Sequence, residues 1–422
     1  MLTEKRRFPN EGSGLFASVP GRQRPYPRGS LPIVASGLAF MFVGATLPTP
    51  LYPLYRQAFG FGGVTLTLIY AVYVLGNLAA LSIFGRLSDQ VGRRRVILPA
   101  IAVSVVSALM FVFARSSGGL FAARALSGFA TGLASGVATA WISELQPQKD
   151  KGAGAVMASA ANFIGLAIGP LMAGVLARFA PWPLRLSFLA YILMLFAVGI
   201  AICRVPERVP SPIQSGKELS IRPRFGVPRA LLIHFVPPAV TAFVTFALMG
   251  FYSALIPSVL AEHLHQKSPL VAGLIAFGLF TVAALTTMLA RNVESRAAML
   301  SALSLFPPCL GLLVYADLSQ SMLVLLAAAA AGGIAASLGY RGSLQVVNGI
   351  APSDKRGEMV SSYFLFAFAG NSLPVIGVGL LSARASPGAA QIVFAVVIAV
   401  LAAVGLMVGR RYDPRVPQAA SR

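Results

Sequence analysis

Cysteine, histidine and acidic residues are all scarce in this sequence of 422 residues. It has two cysteines, three histidines, and thirteen Asp and Glu residues in total. Cys203 and Cys309 are not part of a C-x-x-C pattern, so neither a disulfide framework nor a redox motif is indicated. No paired carboxylates, nucleophile with a base, or cluster of metal ligands is evident. The sequence therefore predicts a protein that is not an enzyme and that binds no cofactor or metal.

Charge of either sign is also sparse. Charged residues make up 11% of the chain and hydrophobic residues 56%, whereas ordinary soluble domains are about 25% charged. The apolar residues form repeated runs of around 20, the length that an α-helix needs to cross a hydrocarbon core about 30 Å thick. The composition therefore predicts an all-α polytopic membrane protein.

Apolar runs between charged, proline or glycine breaks predict twelve spans. The first six lie near residues 31–55, 64–85, 95–114, 119–143, 153–177 and 184–203. The other six lie near residues 230–260, 270–290, 297–316, 321–349, 358–382 and 388–409. A basic, proline-rich stretch separates the two sets. We therefore predict an N-terminal tail, a six-helix bundle, a linker, a second six-helix bundle and a C-terminal tail, at residues 1–30, 31–204, 205–229, 230–410 and 411–422.

An internal repeat supports two pseudo-symmetric halves. A shift of 205 residues brings Pro147–Gly152 (PQKDKG) onto Pro352–Gly357 (PSDKRG). The same shift brings Gly165 onto Gly370 and aligns two charged positions of the preceding loops. Parallel repeats about an axis along the membrane normal are one transporter architecture, with the substrate site between the halves.

The basic residues predict the orientation of the chain. The net charge is +21, which could indicate a nucleic-acid partner, but Lys and Arg stand at the ends of apolar segments instead of forming a patch beside stacking aromatic residues. With both termini in the cytoplasm, only six of these cations in the loops fall on the other side: Arg56, Arg115, Arg178, Arg185, Lys267 and Arg384. The positive-inside rule thus predicts a multi-pass protein of the cell membrane with cytoplasmic termini and no nucleic-acid partner.

The loop after the second predicted span reads GRLSDQVGRRR and begins at Gly85. Gly85 permits close helix approach, Gly92 permits a tight turn, and Asp89 offers a carboxylate to a helix N-terminus or an arginine. The pattern resembles the signature loop of the Major Facilitator Superfamily. The resemblance implies a latch between the two halves on the cytoplasmic side, formed with Asp89, Arg93 and Arg94. Alternatively, the arginines only anchor the topology.

The fifth predicted span contains GLAIGPLMAG, which begins at Gly165 and ends at Gly174. It resembles the antiporter motif G-x-x-x-G-P-x-x-G-G of drug and proton exchangers in the same superfamily, with Ala173 as the departure. The small residues, Gly169 among them, allow helices to pack closely, and Pro170 can bend the span. The resemblance implies export. The alternative is ordinary packing of small residues.

Two arginines lie inside predicted spans, where an ionisable residue is costly and points to function. Arg341, Gln345 and Asn348 share one face of the tenth span. In the superfamily the first, fourth, seventh and tenth helices line the cavity, so the resemblance places this stripe, Arg124 and Thr245 on the cavity wall. Arg124 could instead snorkel to the interface, and the stripe could pack helices. We expect Arg341→Ala to abolish transport without disturbing insertion.

These features predict a secondary transporter that works as a monomer by alternating access. Because no carboxylate is predicted inside a span, the cavity should favour a small neutral or anionic amphiphile over an organic cation. Export is the leading prediction, with protons as a candidate coupling ion. Uptake of a metabolite such as a sugar or organic acid, and a non-transporting receptor or scaffold, are the alternatives.

Overall fold

A computed structural model describes residues 27, 29–84, 91–146, 151–206, 226–262, 264–352 and 354–411. Within these residues all regular structure is helical, and twelve segments are long and apolar enough to cross a membrane. The predicted all-α fold with twelve spans is therefore confirmed. We number the spans 1 to 12 in chain order.

The spans agree with the predicted apolar runs to within a few residues. Spans 1 to 6 are Ser30–Phe59, Gly63–Phe84, Arg93–Phe113, Ser117–Leu145, Lys151–Phe179 and Leu186–Cys203. Spans 7 to 12 are Arg229–Ala254, Pro269–Leu289, Ser295–Leu318, Met322–Ile350, Arg356–Arg384 and Pro387–Arg411. Most of the predicted tails and linker, and the latch residues Gly85 and Asp89, lie outside the described residues.

Prolines interrupt the helices of spans 1 and 7. Span 1 consists of the helix Ser30–Thr46, the 3-10 turn Thr49–Leu51 and the helix Tyr52–Phe59. Pro48 and Pro50 lack the N–H group that a continuous helix would need at this point. After span 7 the short helix Ile256–Glu262 follows, with Pro257 at its second position. The breaks therefore occur where proline removes a backbone donor.

Successive spans run in opposite directions, so span 1 begins and span 12 ends on the same side of the molecule. We call that side the termini face and the other side the opposite face. Spans 1–6 form the N half and spans 7–12 the C half. The halves meet chiefly where span 5 packs on span 8 and span 2 packs on span 11.

Glycines bring the two halves into close contact near the opposite face. A Cβ atom on Gly174 of span 5 would lie 2.7 Å from the carbonyl oxygen of Pro269 in span 8. A Cβ atom on Gly379 of span 11 would lie 2.5 Å from Oγ1 of Thr67 in span 2. Small residues at helix interfaces allow this approach, and here they close the opposite face.

Two polar contacts also join the halves toward this face. Arg56 and Glu262 form an ion pair with a nitrogen–oxygen distance of 3.6 Å. The hydroxyl of Tyr70 in span 2 donates a hydrogen bond of 3.1 Å to Oδ1 of Asn371 in span 11. The first pair is half-exposed, whereas Tyr70 and Asn371 are both buried.

Candidate functional site

A cavity of about 380 Å³ lies between the two halves. Arg124 of span 4 lines the cavity on the side of the opposite face, and Ser143, Asn348 and Val360 also line it. These last three residues lie near the termini-face ends of spans 4, 10 and 11. The cavity therefore opens toward the termini face, while the contacts described above shut it at the opposite face.

Aromatic rings from both halves form much of the cavity wall. They are Phe42, Tyr70, Tyr73, Phe163, Phe246, Phe280, Tyr340, Phe364 and Phe368. The rings of Phe163 and Tyr340 meet across the boundary between the halves, with their centroids 6.0 Å apart. An apolar wall with a few convergent polar groups is typical of sites for small organic molecules.

Arg124 is fully buried at the closed end of the cavity. Its Nη1 donates a hydrogen bond of 2.8 Å to the carbonyl oxygen of Ala45. Its guanidinium lies 4.7 Å from the ring centroid of Tyr73 and 5.5 Å from that of Tyr70, within the range of cation–π interactions. Its Nε finds no acceptor among the described residues. Because the side chain is buried in this way, it does not snorkel to the interface.

The position of Ala45 explains part of this arrangement. Ala45 lies in the last turn of the helix Ser30–Thr46, and the last carbonyl groups of a helix have no partner within it. The negative end of the helix dipole also favours a cation. Arg124 thus supplies a donor where the proline-rich break leaves span 1 short of donors.

Arg124 is the only charged side chain among the described residues that line the cavity. One acidic residue, Glu144, lies instead at its mouth, where it borders an adjoining hollow together with the basic residue Arg356. Glu144 is paired with Arg93 at a nitrogen–oxygen distance of 2.6 Å. The cavity is therefore electropositive at its closed end and has no carboxylate on its described wall.

The described part of the predicted latch is anchored within the N half. Gly92 has φ +109°, a backbone conformation that favours glycine. Beside it, Arg93 forms the pair with Glu144 of span 4, and Arg94 donates a hydrogen bond of 3.0 Å to the carbonyl oxygen of Cys203. These two contacts connect the start of span 3 to spans 4 and 6.

The first part of the antiporter motif packs span 5 against span 1 within the N half. A Cβ atom on Gly165 would collide with the carbonyl oxygen of Ala39. A Cβ atom on Gly169 would lie 2.6 Å from the carbonyl oxygen of Val43. Both neighbours are backbone atoms of span 1, so the two helices can approach this closely only with glycine at these positions.

The last part of the same motif packs span 5 against span 8 of the C half. The carbonyl oxygen of Pro170 lies where a Cβ atom on Gly273 would be. Four residues further on, Gly174 approaches Pro269 near the opposite face. The motif therefore packs span 5 both against span 1 in its own half and against span 8 in the other half.

The polar residues predicted to share one face of span 10 do not all reach the cavity in the structure. Arg341 donates from Nη1 to the carbonyl oxygen of Arg291 at 2.9 Å and from Nη2 to that of Val293 at 3.0 Å. Gln345 accepts a hydrogen bond of 2.8 Å from Oγ of Ser295. Neither Arg341 nor Gln345 lines the cavity. Their predicted position on its wall is corrected, because both side chains turn toward the loop between spans 8 and 9 and the start of span 9.

The other two predicted wall residues of the C half also differ from each other. Asn348 lines the cavity, and its Nδ2 donates a hydrogen bond of 2.9 Å to the carbonyl oxygen of Leu344. Thr245 is buried in span 7 where Gly339 of span 10 packs against it. Thr245 does not line the cavity, because the absence of a side chain at Gly339 lets the two spans close over it.

The contacts of Arg341 replace the earlier expectation for Arg341→Ala. We now expect this substitution to lower the apparent melting temperature by several degrees, since two loop carbonyl groups lose their donor at a cost of about 1–3 kcal/mol. Transport should persist in the folded protein. Thermal unfolding in detergent, combined with a transport assay, measures both effects. Loss of transport at an unchanged melting temperature would indicate that Arg341 acts on the substrate and not on stability.

Several residues at the closed end of the cavity were not found from the sequence. Tyr70, Tyr73 and Asn77 follow a helical spacing in span 2 and line the cavity together, and this spacing was the available signal. Asn371 of span 11 also lines the cavity. Its pairing with Tyr70 joins residues 301 positions apart, so no local pattern could indicate it.

Comparison with known proteins gives the family. The family model described as Major Facilitator Superfamily matches residues 34–329. An uncharacterized transporter of the major facilitator type from Mycobacterium tuberculosis is 30% identical over 187 residues, which are 43% of this chain and 27% of that protein. The quinolone resistance protein NorA of Staphylococcus aureus is 26% identical over 138 residues, which are 33% of this chain and 36% of that protein.

A further relative is described as a probable metabolite transport protein, CsbC of Bacillus subtilis. It is 26% identical over 155 residues, which are 37% of this chain and 33% of that protein. The chain spans about a quarter to a third of the length of the curated relatives it matches.

Solved structures share the fold at lower identity. A bacterial homologue of the human lysosomal transporter Spinster, in an inward-facing and occupied conformation, has a TM-score of 0.70 at 15% identity, covering 93% of this chain and 98% of that chain. The human organic anion transporter MFSD10 (TETRAN) has a TM-score of 0.64 at 19% identity, covering 90% and 99%. At these identities the likeness shows the fold alone. With a family model that matches most of its length, the chain belongs to the Major Facilitator Superfamily.

Proposed function

We propose that this chain exports a small neutral or anionic amphiphilic organic solute by alternating access. The observation that carries the proposal is the cavity itself, which has an aromatic wall, Arg124 at its closed end and no carboxylate among its described lining residues. A buried cation without an acidic partner attracts an anion and repels an organic cation. A neutral amphiphile would rely on the aromatic wall.

The proposed direction of transport depends on how the chain is oriented in the membrane. We propose that the termini face is cytoplasmic, because the positive-inside rule places the basic loops there. The cavity then opens to the cytoplasm, where an exported solute would enter. The resemblance of the span 5 motif to that of antiporters supports export, as does the name of the quinolone resistance relative. We place the protein in the cell membrane as a monomer.

The signature loop is proposed to latch the halves together when the termini face closes. Arg93 and Arg94 contact spans 4 and 6 of the N half, and Asp89 would take part as the sequence resemblance implies. We expect Asp89→Asn to slow transport while leaving insertion intact. Transport at the wild-type rate by a properly inserted Asp89→Asn protein would show that Asp89 does not form the proposed latch.

Proton coupling is proposed through acidic groups near the termini face, because the described cavity wall has none. The candidates are Asp89, Glu144 and an acidic substrate itself, and Glu144 borders the hollow at the cavity mouth. The pairing of Glu144 with Arg93 would change when the carboxylate takes up a proton. Transport measured with and without a pH gradient tests the coupling.

A susceptibility screen of deletion and overexpression strains tests the proposed function. The compounds should include anionic, neutral and cationic amphiphiles of similar size. We expect deletion to sensitise cells to some anionic or neutral compounds and overexpression to protect against them. Protection against cationic compounds alone would contradict the proposed charge preference.

Uptake of a metabolite is the second candidate. The similarity to a protein described as a probable metabolite transporter supports it, and a cavity open to the cytoplasm is also the release state of an importer. Oriented vesicles separate the two candidates, because an exporter accumulates solute only in vesicles whose cytoplasmic face is outward.

A further inference from the structure

Tyr70 stands between the buried cation of the cavity and the contact that holds the opposite face closed. Its ring lies 5.5 Å from the guanidinium of Arg124. Its hydroxyl donates a hydrogen bond of 3.1 Å across the boundary between the halves to Asn371. One side chain therefore contacts both the proposed substrate-binding cation and the opposite half of the protein.

The arrangement around Arg124 leaves an incoming anion little room. Nη1 is engaged by Ala45, and the rings of Tyr70 and Tyr73 lie against the guanidinium. Nε is buried and has no acceptor in the described residues. A carboxylate arriving through the cavity could satisfy Nε, and it would compete with the two rings for the space around the guanidinium. Tyr52 is a further neighbour of Arg124.

At the guanidinium of Arg124, a carboxylate is a more favourable partner than a tyrosine ring. A charge-assisted hydrogen bond between arginine and a carboxylate, which is often bidentate, stabilises more than the cation–π contact of a single tyrosine ring. Tyr70 lies farther from the guanidinium than Tyr73 does. The contact of the Tyr70 ring with Arg124 is therefore the weaker of the two cation–π contacts.

The two tyrosines differ in what their hydroxyl groups hold. The hydroxyl of Tyr73 accepts a hydrogen bond of 3.5 Å from Nδ2 of Asn77, which is in the same span. Displacing Tyr73 would therefore leave the contact between the halves unchanged. Displacing Tyr70 would break the hydrogen bond to Asn371 and remove a buried contact between spans 2 and 11.

We propose that Tyr70 couples binding at Arg124 to the release of the opposite face. An organic anion that reaches the guanidinium displaces the Tyr70 ring, which breaks the hydrogen bond to Asn371 and lets the halves separate there. Tyr70 is thus a positioning residue that links occupancy to the change of access. The inference rests on the proposed function for its transport consequence, but the link itself can be measured without transport.

The test measures the distance between the halves at the opposite face. Spin labels are attached at Phe179→Cys in span 5 and Leu318→Cys in span 9, two exposed positions at opposite-face ends of their spans. The background carries Cys203→Ser and Cys309→Ala. Double electron–electron resonance then reports closed and open populations in wild type, Tyr70→Phe, Asn371→Ala and the matched control Tyr73→Phe.

We expect Tyr70→Phe to raise the ratio of open to closed protein by roughly 5- to 30-fold, because the closed state then buries an unsatisfied amide oxygen. Asn371→Ala should have a similar effect, and the double variant should exceed neither single variant by much, since both remove the same hydrogen bond. Tyr73→Phe should have the same ratio of open to closed protein as wild type, because the hydroxyl group of Tyr73 bonds within span 2. The coupling is overturned if Tyr70→Phe and Asn371→Ala both match wild type, or if Tyr73→Phe opens the protein equally.

The anion itself is tested with 2-naphthoate as the probe and its neutral amide as the control. We expect 2-naphthoate to raise the open population of wild type, and the amide to leave it unchanged. The effect of 2-naphthoate should vanish in Arg124→Gln. Opening by the amide, persistence in Arg124→Gln, or no response of wild type would overturn the anion trigger. If the labels respond as expected and the susceptibility screen shows no export, the coupling stands and the proposed function fails.

Discussion

Replacing Arg124 by Gln is expected to reduce transport of anionic solutes by roughly 10- to 100-fold, since a charge-assisted contact of about 1.5–3 kcal/mol is lost and each 1.4 kcal/mol is tenfold. Arg124 is the only charged side chain on the described cavity wall, so no neighbour there can replace it. Neutral solutes should be affected much less, because they depend on the aromatic wall. Initial rates in reconstituted vesicles measure the effect.

The matched control is Arg341→Gln, which removes the other arginine buried inside a span. Arg341 contacts the carbonyl groups of a loop and does not line the cavity. We expect this variant to lose stability and to keep the preference for anions. Equal loss of anionic and neutral transport in Arg124→Gln would indicate that Arg124 only supports the fold through Ala45.

The second large effect is expected for Gly174→Leu, which should abolish transport by keeping the opposite face from closing. A Cβ atom at this position would lie 2.7 Å from the carbonyl oxygen of Pro269 and 3.0 Å from Cα of Leu270. Both are backbone atoms, so spans 5 and 8 must separate to make room. Overpacking of this kind costs about 1–3 kcal/mol, and the closed state bears that cost.

The control for this substitution is Gly278→Leu in span 8, because a Cβ atom on Gly278 would meet no atom within 4 Å. The spin labels at the opposite face provide the readout. We expect Gly174→Leu to give predominantly the open distance and Gly278→Leu to resemble wild type. A Gly174→Leu protein that closes and transports normally would show that the close contact of spans 5 and 8 is dispensable.

Local sequence patterns predicted the fold well. Runs of apolar residues gave all twelve spans, since crossing a hydrocarbon core imposes a length and a composition that can be counted. The break in the helix of span 1 also has a local cause, because its prolines lack a backbone donor. These features depend on residues close together in the chain, so one sequence is enough to find them.

The candidate site was harder to predict because it depends on which way each helix face turns. Arg341 and Gln345 share a face of span 10, as expected, but that face meets spans 8 and 9. Arg124 appeared able to reach the interface, whereas span 1 supplies a carbonyl acceptor within the protein. The partnership of Tyr70 with Asn371 depends on the packing of two halves. Rotation and packing of this kind leave no short-range pattern.

The most direct test of the proposed function is transport of a matched pair of dyes into vesicles whose cytoplasmic face is outward. One dye carries a carboxylate and the other, on the same aromatic scaffold, carries an ammonium group. We predict that the anionic dye accumulates, that the cationic dye does not, and that Arg124→Gln slows the accumulation by roughly 10- to 100-fold. Accumulation of the cationic dye that is unchanged by Arg124→Gln would contradict the account.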